Sequence, residues 1–271
     1  MTRLRSVIGD IGPVVVAVSG GVDSMTLAVV AQEVLQDDAR MLHARSPAVP
    51  AEASERVRRY TQRLGWRLRV VDAGELADPS YIANPHNRCF YCKTNLYATM
   101  AGLFDCVLVS GTNTDDLGDY RPGLEAAARH GVRHPFVEAG MDKAAVRAVA
   151  RELALTDLAE LPASPCLSSR VETGTPIDPD VLVAIDRAER FVRRELGPQT
   201  VRCRVRDEAI VIELDQQCLA AMGGSTAGQL QREVGRLLAA AGVAHPVTFA
   251  GYRMGSAFLR PADESLLGPH P

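Results

Sequence analysis

A glycine-rich hexapeptide near the N-terminus, SGGVDS at residues 19–24, has the composition of an anion-binding loop. It lies between a short β-branched run at residues 14–18 and a helical pattern that continues to about residue 35. Gly20 and Gly21 let backbone amides approach an anion closely, and the helix N-terminus behind them carries partial positive charge. The hydroxyls of Ser19 and Ser24 add donors. Because GK[ST] and GxGxxG are both missing, a plain strand-to-helix turn is the alternative interpretation of these six residues alone.

Three of the six cysteines form a second pattern, a CxxC pair at Cys89 and Cys92 before a predicted helix and Cys166 much further on. The pair alone is compatible with a redox couple, with half a zinc site, or with iron–sulfur ligation. Structural zinc needs a fourth ligand, for which His86 is the only nearby candidate. Three thiolates suit a [4Fe–4S] cluster with one iron left to hold an exogenous sulfide. The alternative is that Cys166 itself supplies sulfur. The remaining cysteines at positions 106, 203 and 218 are expected in the core.

Charged residues mark two further places. Asp115, Asp116 and Asp119 follow a predicted strand end, where open α/β sheets place ligands, although an exposed acidic turn is the alternative. Arg202 and Arg204 alternate on a predicted strand, so both point to one face. There they can clamp a phosphate, the alternative being a solvated strand face.

These residues are distributed over an alternating β/α pattern. Strands are predicted near residues 14–18, 41–44, 67–71 and 106–110, and helices near 22–35, 51–64, 93–102 and 143–153. Such alternation predicts a doubly wound parallel sheet, hence an α/β fold. A Pro/Ser/Thr/Gly-rich stretch follows, and we place the domain boundary there. The expected domains are residues 1–170 and a smaller α+β module at 171–271, with a helix at 180–196 and strands at 201–206, 209–214 and 246–250.

Composition excludes several classes of protein. The chain has 271 residues, 46% of them hydrophobic and 23% charged, which is ordinary globular composition. A net charge of -3 and a pI near 6.1 argue against nucleic-acid binding through bulk charge. The apolar run near the N-terminus is too short for a signal peptide or a membrane span, and six cysteines are too few for a secreted disulfide scaffold. We therefore expect a cytoplasmic protein without membrane or nucleic-acid partners.

The hexapeptide, taken whole, resembles the PP-loop of ATP pyrophosphatases. The resemblance implies that ATP places its phosphates on this loop, that an oxygen of the substrate is adenylylated, and that pyrophosphate is released. It also implies that Asp23 helps to hold Mg²⁺ on the phosphates. The implied ATP-binding residues are Ser19, Gly20, Gly21, Asp23, Ser24, Gly111 and Lys143.

Several stretches together resemble the LarE family of ATP-dependent sulfur transferases, which act in nickel-pincer nucleotide biosynthesis. They are SGGVDS, residues 84–97, GTNTDD at 111–116, DYRPG at 119–123, PCLSSR at 165–170, AERF at 188–191 and RCR at 202–204. The resemblance implies adenylylation of a carboxylate of pyridinium-3,5-dicarboxylate mononucleotide and its conversion to a thiocarboxylate. Cys166 matches the cysteine that supplies sulfur in sacrificial members. The CxxC pair indicates instead the three-cysteine branch, with a [4Fe–4S] cluster as sulfur carrier.

Other roles follow from the same resemblance. Lys93 and Lys143, the only lysines of the chain, are candidates to neutralise triphosphate or leaving pyrophosphate. Glu189 and Glu213 match acidic positions with a candidate metal role. The implied substrate-binding residues are Lys93, Asp119, Arg121, Ser169, Arg170, Arg202 and Arg204. A sulfide or other sulfur donor and a homo-oligomer are also implied. The alternatives are a tRNA thiolase with the same loop and cluster, and a non-enzymatic nucleotide-binding metal sensor.

Overall fold

The chain forms two compact units in the computed structural model, which describes residues 1–118 and 122–259. The first unit consists of Met1–Glu75 and Arg88–Ser164. The second consists of Leu76–Asn87 and the chain from Pro165 onward. It therefore takes in two stretches, residues 76–87 and 165–170, that were expected in the first domain.

Helices and strands alternate along most of the chain. As far as residue 103 they are α1 (Thr2–Ile11), β1 (Val14–Ala17), α2 (Val22–Leu35), β2 (Ala39–Ala44), α3 (Ala51–Leu64), β3 (Leu68–Val71), α4 (Pro79–Ile82) and α5 (Arg88–Leu103). Then follow β4 (Val107–Val109), α6 (Pro122–Arg129), α7 (Pro135–Glu138), α8 (Lys143–Glu152), α9 (Thr156–Ala159), α10 (Pro179–Leu196), β5 (Val201–Val205), β6 (Ile210–Leu214), α11 (Gln216–Ala221), α12 (Gly224–Ala239) and β7 (Val247–Gly251). Of these, α4 and the elements from α10 onward belong to the second unit.

The first unit is built on a four-stranded parallel sheet in the order β3-β2-β1-β4. Successive residues of β1 pack into two different hydrophobic clusters, Val14 and Val16 into one and Val15 into the other. Both faces of the strand are therefore covered, which is why it is apolar throughout rather than alternating. The α/β fold with a parallel sheet is confirmed. The strand order reverses beside β1, so the loops after β1 and β4 meet at a switch point.

Two local expectations were wrong. The helix that carries the CxxC pair begins at Arg88, so Cys89 and Cys92 lie inside its first turns rather than before it. The N-terminal helix α1 was not predicted, although it buries Leu4 and Ile8 completely against the sheet domain. Within residues 1–118 and 122–259, no helix has both the length and the apolar character needed to cross a membrane.

The second unit has its own three-stranded sheet in the order β5-β6-β7. The strands β5 and β6 are antiparallel, and β6 and β7 are parallel. Amphipathic α10 buries apolar residues such as Leu182, Ile185 and Val192, starts at a capping Asp178 and ends at the left-handed Gly197. This arrangement is an α+β module of the kind that the helix-then-strands order predicts.

Residues 76–87 belong to the second unit because Asn84 ties them to it. The Asn84 side chain is fully buried and its amide donates to the carbonyls of Glu172 and Thr175, both at 2.8 Å. The amide of Gly174 in turn donates to the carbonyl of Asn84 at 2.9 Å. Asn84 has a φ of 51°, in the left-handed region that asparagine tolerates better than most residues. One side chain thus joins two segments that are distant in sequence.

We expect Asn84→Ala to lower the free energy of unfolding by about 2–4 kcal/mol, because two partly buried carbonyls lose their donors and alanine is strained at this φ. Asn84→Gly is the matched variant, because it loses the same hydrogen bonds while glycine adopts this left-handed φ without strain. Urea denaturation should rank the wild type above Asn84→Gly and Asn84→Gly above Asn84→Ala. Equal stability of all three proteins would contradict this account of residues 76–87.

Candidate functional site

The glycine-rich loop after β1 is held by its own serines. The amide of Ser19 donates to Ser24 Oγ at 3.0 Å, and the two hydroxyl oxygens lie 3.1 Å apart. Ser24 Oγ also donates to the carbonyl of Gly21 at 3.3 Å. The loop is therefore a closed turn that leads directly into α2, with Gly21 as the residue before the helix.

The loop after β4 contacts this turn at backbone distance. A Cβ atom added at Gly111 would lie 2.7 Å from the amide nitrogen of Ser24 and 2.8 Å from the carbonyl carbon of Asp23. Only glycine fits at position 111, because no real side chain tolerates such distances. Asn113, which is almost fully buried, donates from Nδ2 to Asp23 Oδ1 at 3.4 Å. The two loops thus form one surface at the switch point of the sheet.

An ion pair joins this surface to α8. Lys143 Nζ lies 2.5 Å from Asp23 Oδ2, and both side chains are only partly exposed. The backbone amide of Lys143 donates to Asp115 Oδ2 at 3.2 Å, and Asp142 caps the helix through the amide of Ala145. The structure therefore brings together Asp23, Gly111, Asp115 and Lys143, which the sequence analysis selected from three separate segments.

The third neighbour of the loop is α3. Gly20 has a φ of 81°, and a Cβ at this position would lie 2.5 Å from the carbonyl oxygen of Ala53. Arg56, one turn further along α3, donates from Nη1 to the carbonyl of Gly20 at 2.6 Å. Burial lowers the pKa of the Arg56 guanidinium, and the charge of Arg59 adds to that effect. A partly buried cation thus contacts the backbone of the glycine loop.

Two histidines form hydrogen bonds with the residues that directly follow β1 and β4. His43 is buried and lies 2.8 Å through Nδ1 from the carbonyl of Val18, so Nδ1 carries the proton. Its Nε2 lies 2.9 Å from Ser54 Oγ on α3. Beside the second loop, His134 Nδ1 lies 2.9 Å from Ser110 Oγ. Burial lowers the pKa of both imidazoles.

The lowered pKa of His43 makes the protein less stable below neutral pH. The unfolded chain takes up a proton near the ordinary pKa of 6.5, whereas the folded protein does so only at lower pH. The stabilisation is present above pH 6.5 and is lost as pH falls through the folded pKa. As pH falls below about 6.5, we expect the melting temperature to fall less steeply in His43→Gln than in the wild type. Identical slopes in the two proteins would contradict the assignment.

The cysteines are divided between the two units. All six lie in the described part of the chain, and none forms a disulfide. Cys89 and Cys92 are partly exposed neighbours on α5 in the first unit, and Cys166 is partly exposed in the second. Among the described residues, no group of three or more His, Cys, Asp or Glu side chains is arranged to hold a metal ion. Cys203 is a core residue as expected. Cys106 is partly exposed but packs against the hydrophobic cluster that contains Val15, whereas Cys218 is partly exposed on α11, so the core prediction was wrong for Cys218.

Arg170 fixes the segment that contains Cys166. Its Nη1 donates to the carbonyls of Pro165 and Cys166 and to Ser169 Oγ, at 2.7, 3.1 and 3.0 Å. Its Nε and Nη2 donate to the two carboxylate oxygens of Glu189, at 2.9 and 3.1 Å. Burial by itself would lower the pKa of the Arg170 guanidinium. The charge and the hydrogen bonds of Glu189 act in the opposite direction, and the pKa is raised. Every nitrogen of this side chain is therefore engaged in holding its own unit together.

A second buried pair lies across β5 and β6. Arg204 Nε donates to Glu213 Oε2 at 2.9 Å, and Ser256 Oγ donates to Glu213 Oε1 at 2.5 Å. The β5 face that carries Arg202 and Arg204 is therefore buried, and the alternative of a solvated strand face was wrong. Arg202 lies over the ring of Tyr252, and burial lowers its pKa.

The metal role considered for Glu189 and Glu213 does not fit this structure. Glu189 Oε1 accepts from Arg170 and from the amide of Cys203, at 2.9 and 3.0 Å, and Oε2 lies 3.5 Å from Arg193. Arginine cations thus occupy the positions where a metal ion would bind, and a cation is repelled there.

Removing the charge of Glu189 should be costly. We expect Glu189→Gln to destabilise the second unit by about 3–5 kcal/mol, because it leaves the buried Arg170 charge uncompensated. Glu195→Gln is the control, since its pair with Arg194 on the same helix is exposed and should change stability by less than about 1 kcal/mol. Urea denaturation measures both. A Glu189→Gln protein as stable as Glu195→Gln would show that the pair is not structural.

Lys93, Asp119 and Arg121 were also candidates for substrate binding. The Lys93 ammonium lies 5.8 Å from the centre of the Tyr97 ring on the same helix. Asp119 and Arg121 lie outside the described residues. Arg56 and His43 were not among the residues selected from the sequence, and Asn113, although it lies in the GTNTDD stretch, was given no role there. An arginine on a charged helix and a histidine within a strand carry no motif, and only their neighbours in the fold give them a role.

No protein-family model matches the chain, but curated proteins do. An uncharacterized protein of Synechocystis sp. is 38% identical over 79% of this chain and 81% of its own length. The pyridinium-3,5-bisthiocarboxylic acid mononucleotide synthase of Lactiplantibacillus plantarum is 31% identical over 79% of this chain and 78% of its own. An uncharacterized protein of Methanocaldococcus jannaschii is 26% identical over 74% and 77%.

Fold and site together define an α/β protein of the Rossmann-like class with a glycine-rich loop at the switch point of its parallel sheet. The chain belongs to the LarE family, the family of the Lactiplantibacillus synthase, because it is 31% identical to that protein over more than three quarters of both chains.

Proposed function

We propose that this protein is an ATP-dependent sulfurtransferase that acts on pyridinium-3,5-dicarboxylate mononucleotide in nickel-pincer cofactor biosynthesis. The observation that carries the proposal is the meeting of the two loops at the switch point, with Asp23, Gly111 and Lys143 in contact distance, in a relative of the named synthase. Such a surface offers backbone amides, a cation and a carboxylate, which are the groups that bind a magnesium–phosphate complex.

The first step of the proposed reaction is adenylylation. A carboxylate oxygen of the substrate attacks the α-phosphorus of ATP, and the bond to the bridging oxygen of the β-phosphate breaks. Pyrophosphate leaves with the electron pair, and the acyl-adenylate remains. We assign Asp23 to Mg²⁺, and the glycine-loop amides and the Lys143 ammonium to the phosphates. Binding would replace the Lys143–Asp23 contact by contacts of each side chain with its ligand, so the pair keeps both charges in place beforehand.

The second step transfers sulfur. A sulfur nucleophile attacks the activated carbonyl carbon, AMP leaves, and a thiocarboxylate forms. We propose that Cys89, Cys92 and Cys166 hold a [4Fe–4S] cluster when it is bound, a role supported by the chemistry of three thiols and by the spacing of the pair on α5. The cluster would supply a sulfide bound to its fourth iron. In the alternative route, the Cys166 thiolate attacks, and loss of its Cα proton with cleavage of the Cβ–S bond leaves dehydroalanine.

The test combines turnover with metal analysis. Protein purified without oxygen should release pyrophosphate from ATP only when the pyridinium dicarboxylate nucleotide is present. It should contain about four irons and four sulfides per chain. Cys89→Ser, Cys92→Ser and Cys166→Ser should each lose the iron, whereas the control Cys218→Ser, a partly exposed thiol on α11, should retain it.

The outcomes separate the parts of the proposal. Absence of pyrophosphate release with this substrate would refute the adenylylation. Absence of iron, together with a loss of about 34 Da at Cys166 after one turnover, as expected when a cysteine becomes dehydroalanine, would replace the cluster with the sacrificial route.

A further inference from the structure

Arg56 on α3 contacts the glycine-rich loop directly. Its Nη1 donates to the carbonyl of Gly20 at 2.6 Å, and the backbone of Ala53 lies against the same glycine. A guanidinium has five N–H donors, and this hydrogen bond uses one of them. The side chain is partly buried, so its position relative to the loop is set by packing rather than by solvent.

The charge of Arg56 is balanced differently from that of its neighbours. Arg58 pairs with Glu55 at 2.5 Å, and Arg59 pairs with Asp157 at 3.7 Å. No ion pair within 4.0 Å is formed by Arg56 with any described residue, although Glu52 and Asp157 act on it from further away. Burial is the largest influence and lowers the pKa of Arg56, and the charges of Glu52 and Asp157 oppose that effect only in part. The other cation at the loop, Lys143, already forms an ion pair with Asp23.

We propose that Arg56 is a phosphate-binding residue that holds the β- and γ-phosphates of ATP and the pyrophosphate that leaves. The inference rests on the proposed function, because it requires that ATP lies on the glycine loop. When the bond between the α-phosphorus and the bridging oxygen breaks, negative charge accumulates on pyrophosphate. A guanidinium binds phosphate oxygens bidentately and favours that charge.

The experiment measures binding of three ligands to three variants of the full chain. Calorimetry gives the dissociation constants of Mg-ATP, pyrophosphate and AMP for the wild type, Arg56→Gln, Arg56→Lys and the control Arg58→Gln. We expect Arg56→Gln to weaken ATP and pyrophosphate about 10-fold or more, because charge-assisted hydrogen bonds are lost, and to change AMP less than about 2-fold. Arg56→Lys should be intermediate. Arg58→Gln, altered on the exposed side of the same helix, should match the wild type.

The selectivity between ligands decides the outcome. If Arg56→Gln weakens AMP as much as ATP, the side chain only supports the loop and the inference is wrong. If it weakens none of the ligands, the inference is also wrong. A folded wild type that binds neither ATP nor pyrophosphate would refute the proposed function, and the inference with it.

A second measurement does not depend on the variants being folded. Phenylglyoxal labels accessible arginines of the wild type, and peptide mass spectrometry locates the label. We expect pyrophosphate to protect Arg56 and AMP not to protect it. Equal labelling of Arg56 with and without pyrophosphate would overturn the proposal.

Discussion

The close approach of two loops at the switch point is the constraint on which the first unit depends. Gly111 lies so near the backbone of Asp23 and Ser24 that any side chain would separate them. That contact exists because β1 and β4 are neighbouring parallel strands, so their carboxyl ends leave the sheet at the same edge. The ion pair of Asp23 with Lys143 and the hydrogen bond from Asn113 both require this proximity. Without it the glycine loop would contact α3 but not the loop after β4.

The second unit depends on buried charges in the same way. Arg170 and Glu189 form a buried ion pair inside this unit. Arg170 also donates hydrogen bonds to the carbonyls of Pro165 and Cys166. The sequence resemblance gave both residues ligand roles, yet their charged atoms are used within the protein. Such a pair adds little net stability compared with apolar packing, but it strongly penalises the loss of one partner. It thereby keeps the conformation of the Cys166 segment tied to that of α10.

Local pattern predicted many elements of this fold because the pattern and the packing agree. The β-branched run of β1 is apolar throughout because both faces are covered, and α10 has a capping aspartate at one end and glycine at the other. The start of α5 was misplaced because the CxxC pair was expected before the helix, whereas Cys89 and Cys92 lie within it. The N-terminal α1 has no side-chain hydrogen bond at its N-cap, so no capping residue in the sequence indicates where it begins.

The sequence by itself determined the alternating β/α order, the glycine loop, and which residues carry thiols and charges. Those features are local, since they follow from periodicity, from turn residues and from residue chemistry. Tertiary structure alone decided that Asp23 meets Lys143, that Arg56 contacts Gly20, and that Asn84 joins residues 76–87 to the second unit. These contacts join residues far apart in the chain, and only the strand order and the burial of each charge determine which distant groups become partners.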